Sequence, residues 1–231
     1  MLRFLFRISL IFAVSFLFYS IPDKFFKLPF FKIKNYNIVG NTKISQMELT
    51  EIGEITYNSN IWEIDVASVE KLLKKDVRIE DAVVWANAPD EITFKITERE
   101  TFAYVQLSNK IYLLDENGIL FGFLNEKEKK NMPLFILNES DSEKYEKAKK
   151  FIEIIKLLDK MYLKDLISQI YEIDMNCIDL ILTDGTTIRT NMEVQKNKYK
   201  TAEVLYYELI KSKKIEYIDL RFDNFVVKEF D

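Results

Sequence analysis

The sequence predicts an α+β protein in three parts. A single apolar amino-terminal helix leads into a small strand–helix–helix–strand–strand unit. A larger β-rich domain of mainly antiparallel sheet with flanking helices follows. Three observations carry this. Leu2–Ile21, LRFLFRISLIFAVSFLFYSI, is an almost unbroken apolar run. Between Phe31 and Glu98, period-two alternation brackets two stretches with helical spacing. Beyond Thr101, short alternating runs recur, separated by Asn-Gly and Asp-Gly pairs that favour tight turns.

Composition removes several function classes. The chain has 231 residues, 48% hydrophobic and 14% aromatic, so a sizeable core can be buried. Its net charge is −4 with Lys and Glu intermixed, unlike the one-sided basic surface of a nucleic-acid binder. There is no histidine, which excludes Ser/His and Cys/His nucleophile pairs. The single Cys177 gives zinc too few of its usual ligands and cannot close an intramolecular disulfide. It lies in the strand-like run NCIDLILT and reads as a small buried apolar group. Gly40, Gly53, Gly118, Gly122 and Gly185 never cluster, so no phosphate-cradling loop is present. No cofactor is expected.

The leading run is about 20 residues long, the length of a membrane-crossing helix. Residues 1–3 are read as a short tail and 4–21 as the anchor. Phe4, Leu5, Ile8, Leu10 and Ile11 carry its apolar character, with Phe12, Val14, Phe16, Leu17 and Phe18. Arg7 interrupts the first turns, and its long stem can return the guanidinium to the interface. A cleaved signal peptide needs small residues before the cut; Phe18 and Ser20 stand there, so an uncleaved signal anchor is the expectation. Residues 22–30, an aromatic and basic stretch broken by Pro22 and Pro29, form a juxtamembrane linker.

Residues 31–99 make the small unit. FKIKNYNIVG alternates as a strand and ends at Gly40-Asn41. Ser45 and Glu48 form a capping box at the start of one helix, and Asp65 caps a second whose Val66, Val69, Leu72 and Leu73 share a face. Two strands flank Ala88-Pro89-Asp90; Ile92, Phe94 and Ile96 alternate in the second. So short a chain buries a core only by packing both helices on one face of the three-stranded sheet.

Residues 100–231 make the β-rich domain. TFAYVQL, KIYLLD and ENGILFGF read as strands, with a hairpin turn at Asn117-Gly118. NEKEKKN is a charged loop. A helix follows, with Ser140 and Glu143 as a candidate capping box and a stripe of Phe151, Ile152, Ile155 and Leu158. NCIDLILTDGTTIRT is a hairpin expected to turn through a type I′ turn at Asp184-Gly185. The next helix is expected to bury Ala202, Leu205, Leu209 and Ile210. The chain closes on IEYIDLRFDNFVVKEF, two strand-like runs joined by a polar turn.

No catalytic constellation emerges. Asp184-Gly185-Thr186 has the wrong order for an aspartic protease and occurs once. Asn138-Glu139-Ser140 matches a glycosylation acceptor, a pattern common by chance. Glu98, Arg99 and Glu100 read as a solvated charge cluster. The closing ribbon admits two readings: an ordinary last hairpin with Lys228 and Glu229 as gatekeepers, or an edge to which a partner adds a strand.

The ordered set of these residues resembles the FtsQ/DivIB family of bacterial division proteins. FKIKNYNIVGN resembles the first strand of that family's POTRA domain. VRIEDAVVWANAPDEITFKITERETFAYV has its strand, Pro turn, strand and following Glu. IYLLDENGILF, NCIDLILTDGTTIRT and the closing ribbon resemble its β domain. The resemblance implies a non-enzymatic, single-pass protein of the inner membrane, its bulk on the extracytoplasmic side at the division septum. It implies partners of the FtsB/DivIC and FtsL types. Carried over, Arg221, Phe222 and Asn224 match the turn-side contacts, and Phe225, Val226, Val227 and Phe230 belong to the receiving strand. Phe222 stands where an Arg-Tyr pair is common, and bulky Phe225 follows a turn usually rich in small residues. An accessory role in protein export or outer-membrane assembly is the alternative that a POTRA unit leaves open.

Overall fold

A computed structural model of the chain describes residues 9–12, 14–16, 25–40, 42–125, 131–137 and 144–230. Two units meet in sequence between Arg99 and Glu100, each with its own core.

In the first unit, β1 (Asn35–Val39), β2 (Ile79–Asn87) and β3 (Glu91–Glu98) form a sheet in the order β1-β3-β2. β1 runs parallel to β3, and β2 antiparallel. Helix α1 (Gln46–Ile52) opens with the expected capping box: Ser45 Oγ accepts from Glu48 N at 3.3 Å, and Glu48 Oε2 accepts from Ser45 N at 3.0 Å. Asp65 caps α2 (Val66–Leu73), accepting from Ser68 N at 3.3 Å. Leu49, Val69 and Leu73 pack with Ile92, Phe94 and Ile96, so the alternation on β3 marks its core face. Gly40 has φ +90°, and a Cβ there would lie 2.3 Å from the Ile96 carbonyl oxygen; only glycine fits.

Leu10, Ile11, Phe12, Val14 and Phe16 lie in short helical stretches with exposed side chains. Phe4, Leu5, Ile8, Leu17 and Phe18 lie outside the described residues, and so does most of the expected anchor. Among the described residues no helix is long and apolar enough to cross a membrane.

The second unit holds β4 (Ala103–Leu107), β5 (Lys110–Leu114), β6 (Leu120–Phe123), β7 (Leu134–Leu137), β8 (Ile167–Asp174), β9 (Cys177–Leu182), β10 (Thr187–Thr190), β11 (Ile215–Asp219) and β12 (Val226–Glu229). They make one nine-stranded sheet, ordered β12-β11-β10-β9-β8-β7-β4-β5-β6. The ladders β4/β7, β7/β8 and β10/β11 are parallel and the other five antiparallel. Helices α3 (Lys144–Leu157), α4 (Tyr162–Leu166) and α5 (Lys196–Leu209) complete it. The α3 stripe of Phe151, Ile152 and Ile155 is buried, as is Leu158 just beyond the helix, and Ile154 joins them. Glu172 on β8 receives Lys147 at 2.9 Å and Lys150 at 3.2 Å, tying α3 to the sheet. The candidate cap at Ser140 and Glu143, the acceptor pattern at Asn138 and the charged residues 126–130 lie outside the described residues.

Two expectations for the second unit need correction. The buried face of α5 is centred on Tyr199, Ala202 and Tyr206, while Leu205 and Leu209 pack only partly and Ile210 is exposed. The two tyrosines reach polar partners, Thr190 for Tyr199 and Asp184 at 2.8 Å for Tyr206, which removes the cost of burying their hydroxyls. The Asp184-Gly185 turn is not type I′, because Gly185 but not Asp184 has positive φ. Gly185 N donates to Leu182 O and Leu182 N to Thr186 O, so a three-residue loop ends in a left-handed glycine. The Asn117-Gly118 turn repeats this pattern, with Gly118 N donating to Asp115 O and Asp115 N to Ile119 O.

Candidate functional site

The closing ribbon begins on β11, which is held by β10 on one side and β12 on the other. Ile215, Ile218 and Leu220 point into the main core. Tyr217 and Asp219 take the opposite face by strand alternation. There the Arg189 guanidinium lies 4.3 Å from the centre of the Tyr217 ring, a cation–π contact. Arg189 Nε also sits 3.3 Å from Asp179 Oδ1, close enough for an ion pair but misaligned for a hydrogen bond. Burial pushes the Asp179 carboxyl above its ordinary value despite that arginine.

Asp219 and Arg221 build the turn. Burial alone would raise the Asp219 carboxyl, but Arg221 holds it below the usual range. The guanidinium donates to both carboxylate oxygens, with Nη2 at 2.7 Å from Oδ2 and Nε at 3.0 Å from Oδ1. The Arg221 amide donates to Oδ1 as well, and Nη1 reaches Asn176 O at 3.4 Å. Lys198, in the first turn of α5, donates to Leu220 O at 2.9 Å and also to Phe222 O. The turn is therefore tied down from two sides, by Arg221 and by Lys198.

β12 is the outermost strand of the sheet. It pairs antiparallel with β11, Ile218 opposite Val227 and Asp219 opposite Val226. A bulge in β11 leaves Glu216 as the extra residue between Ile215 and Tyr217. Phe230 N donates to Lys214 O, so alternation turns the amides of Val226 and Lys228 inward and those of Val227 and Glu229 outward. Ion pairs flank the strand, Lys228 with Glu216 at 2.6 Å and Lys213 with Glu229 at 2.5 Å.

The side chains expected at the site divide into three groups. Phe222, Val226 and Phe230 are exposed, at 54%, 43% and 55%, and offer apolar area. Phe225 and Val227 are half-buried against the main core and support the strand from behind. Arg221 is engaged with Asp219, and Asn224 is exposed in the turn. Sequence reasoning missed Lys198 and Arg189. Lys198 acts 24 residues away in sequence, and no short-range pattern signals such a contact. Glu98 was also misread. Rather than a solvated charge, its carboxylate accepts from the amides of Thr42, Lys43 and Ile44 at 2.9–3.0 Å, closing the loop before α1. Among the described residues no group of acidic or cysteine side chains could hold a metal ion.

Residues 103–221 match the family model described as cell division protein FtsQ/DivIB, C-terminal, and residues 31–99 match the FtsQ-type POTRA domain. The first match ends at Arg221, before β12. The chain is similar to the cell division protein DivIB of Bacillus subtilis (strain 168), 24% identical over 197 residues, which cover 82% of this chain and 72% of the relative. It is similar to the cell division protein FtsQ of Syntrophotalea carbinolica, 24% identical over 216 residues, covering 89% and 76%. A solved structure of the major extracytoplasmic domain of the trans isomer of DivIB from Geobacillus stearothermophilus aligns with 51% of this chain and 99% of its own. Its identity is 16% and its TM-score 0.34.

Proposed function

We propose, from the premise that this chain belongs to the FtsQ/DivIB family of cell division proteins, that it is a non-enzymatic scaffold of the division septum. An amino-terminal helix anchors it in the membrane, with both units on the extracytoplasmic side. It holds partners of the FtsB/DivIC and FtsL types, one of which adds a strand along β12. The observation that supports this is the position of β12 at the end of the sheet, with the Val227 and Glu229 amides turned outward.

Backbone bonds supply register more than affinity. Each is worth about 0.5–1.5 kcal/mol net, whereas micromolar binding needs about 8 kcal/mol. Exposed Phe222, Val226 and Phe230 supply apolar anchorage beside the strand. Anchoring both partners in one membrane raises their effective concentration.

The test is binding of the extracytoplasmic segment of a DivIC-type partner to Val227→Pro, which removes an outward amide. Affinity is expected to fall at least about tenfold, one lost bond plus the steric block of the ring, while the circular dichroism spectrum stays that of the parent. A folded variant that binds normally rules out strand addition at β12. Depletion in the host with microscopy tests the septal role: filaments without septa are expected.

A further inference from the structure

Four exposed aromatic side chains from two distant stretches of the first unit form one patch, with exposed Leu28 in the same segment as three of them. Phe25, Phe26, Leu28 and Phe30 are 49%, 41%, 44% and 60% exposed, and Trp62 is 53% exposed. Buried Phe31 is their hub. Its ring centre lies 5.3 Å from Phe25, 5.2 Å from Phe30 and 5.7 Å from Trp62, and Phe26 meets Trp62 at 5.1 Å. The backbone is secured too. Asn60 Nδ2 donates to Phe26 O at 2.5 Å, Ile33 N donates to Ser59 O at 2.9 Å, and Pro29–Phe31 forms a 3-10 turn. The patch is thus preassembled, and Trp62 reaches it from the 3-10 turn Ile61–Glu63, which Asn60 caps. Exposed aromatic area of this kind on a folded unit marks an interaction site.

Charge and chain length narrow the occupant. Residues 25–34, FFKLPFFKIK, carry Lys27, Lys32 and Lys34 and no acidic residue. Lys34 pairs with Asp90 at 3.6 Å, and Glu63 beside Trp62 supplies the acidic rim. Trp62 is of the type enriched at headgroup level, the phenylalanines and Leu28 supply apolar area, and lysine stems can lie along that area with their charges at the headgroups. The apolar run ends at Ile21, and four residues of extended chain reach at most about 14 Å. If that run spans the bilayer, Phe25 cannot leave the neighbourhood of the interface, which is several ångströms deep on each side.

We propose that Phe25, Phe26, Leu28, Phe30 and Trp62 form a bilayer-contact surface that seats the first unit on anionic headgroups beside the anchor. The proposal rests on the anchoring reading above. It assigns the loop around Trp62 a lipid-facing role, and it fixes which side of the small unit faces the membrane.

The experiment uses the full chain reconstituted in vesicles containing phosphatidylglycerol. The chain has two tryptophans, so with excitation selective for tryptophan over tyrosine Trp85→Phe leaves Trp62 as the sole reporter, and Trp62→Phe leaves Trp85 as the control. Lipids brominated near the top of the acyl chain are expected to quench Trp62 and to leave Trp85 unquenched. Lys27→Glu with Lys32→Glu is expected to reduce the quenching of Trp62. Equal quenching of both tryptophans, or none of Trp62 in a chain that floats with the vesicles, overturns the patch and leaves the anchor standing. A chain that fails to float overturns both. Trp62 unquenched by lipid yet shielded from aqueous iodide points to a protein contact and overturns the proposal as well.

Discussion

Glu98 and Lys198 each hold a loop in place from a distance. Burial alone would raise the Glu98 carboxyl, but the amides of Ile44, Lys43 and Thr42 outweigh it and hold the group below the usual carboxylate range. A depressed folded value stabilises above the unfolded value of about 4.3 and loses that contribution as pH falls through the folded one. Glu98→Gln is therefore expected to lower the stability of the first unit by about 1–2 kcal/mol at neutral pH and to flatten its loss below about pH 5. Denaturant titrations of both proteins across pH check this. Lys198→Met should leave the fold intact but free the carbonyls of Leu220 and Phe222, so the turn before β12 loses its tether. Partner affinity is expected to fall about threefold to tenfold through lost preorganisation, read by calorimetry beside an unchanged melting curve. Neither role was legible in sequence. A carboxylate capping amides 54–56 residues away carries no local mark, and a lysine in a first helical turn reads as solvated.

At the level of elements, legibility followed periodicity. β1, β3 and α2 alternate or repeat cleanly; Ile92, Phe94 and Ile96 of β3 and Val69 and Leu73 of α2 are buried as their spacing predicts, while Leu72 stays outside the core. β7 and β8 were passed over. LFIL is a short continuous apolar run, and β8 shares apolar and polar residues between its faces without strict alternation. Both lie in the middle of the sheet, where β7 has parallel neighbours on both sides and β8 on one, so their pairing depends on segments distant in sequence rather than on a local hairpin. The α5 face was misplaced because aliphatic residues were weighted over Tyr199 and Tyr206, whose hydroxyls find partners inside. β12 was legible as a strand, but its outward amides depend on the bulge in β11 and the Phe230–Lys214 bond. That detail sharpens the expected contrast between neighbours. Val226→Pro removes an inward amide and is expected to loosen β12 itself, seen as faster hydrogen exchange in the ribbon, whereas Val227→Pro acts on the partner side.

Among the described residues each unit has its own main core, and the second unit adds a smaller cluster of Tyr104, Leu113 and Phe121. Ile92, Phe94 and Ile96 belong to the core of the first unit, and Phe135, Phe151 and Leu180 to the main core of the second. Truncating Phe94, which is fully buried, is expected to cost the first unit about 3–5 kcal/mol. Partner binding by the second unit should be unchanged when both are measured on the same preparation. Loss of binding in Phe94→Ala would mean that the units cooperate in docking. The strand–helix–helix–strand–strand order of the first unit, the caps at Ser45 and Asp65 and the resemblance were all present in the sequence. The register that decides which groups of the last strand face outward was set by contacts far apart along the chain.

The bulge at Glu216 has one more effect. A flat, unbroken border invites copies of the same chain to stack without limit and grow into fibrils. The extra residue sharpens the local twist, and the charged pairs Lys228–Glu216 and Lys213–Glu229 sit beside it. On the proposed reading, an added strand would find only a short straight stretch before the track bends away. The border would then serve as a berth for one guest instead of a template for growth.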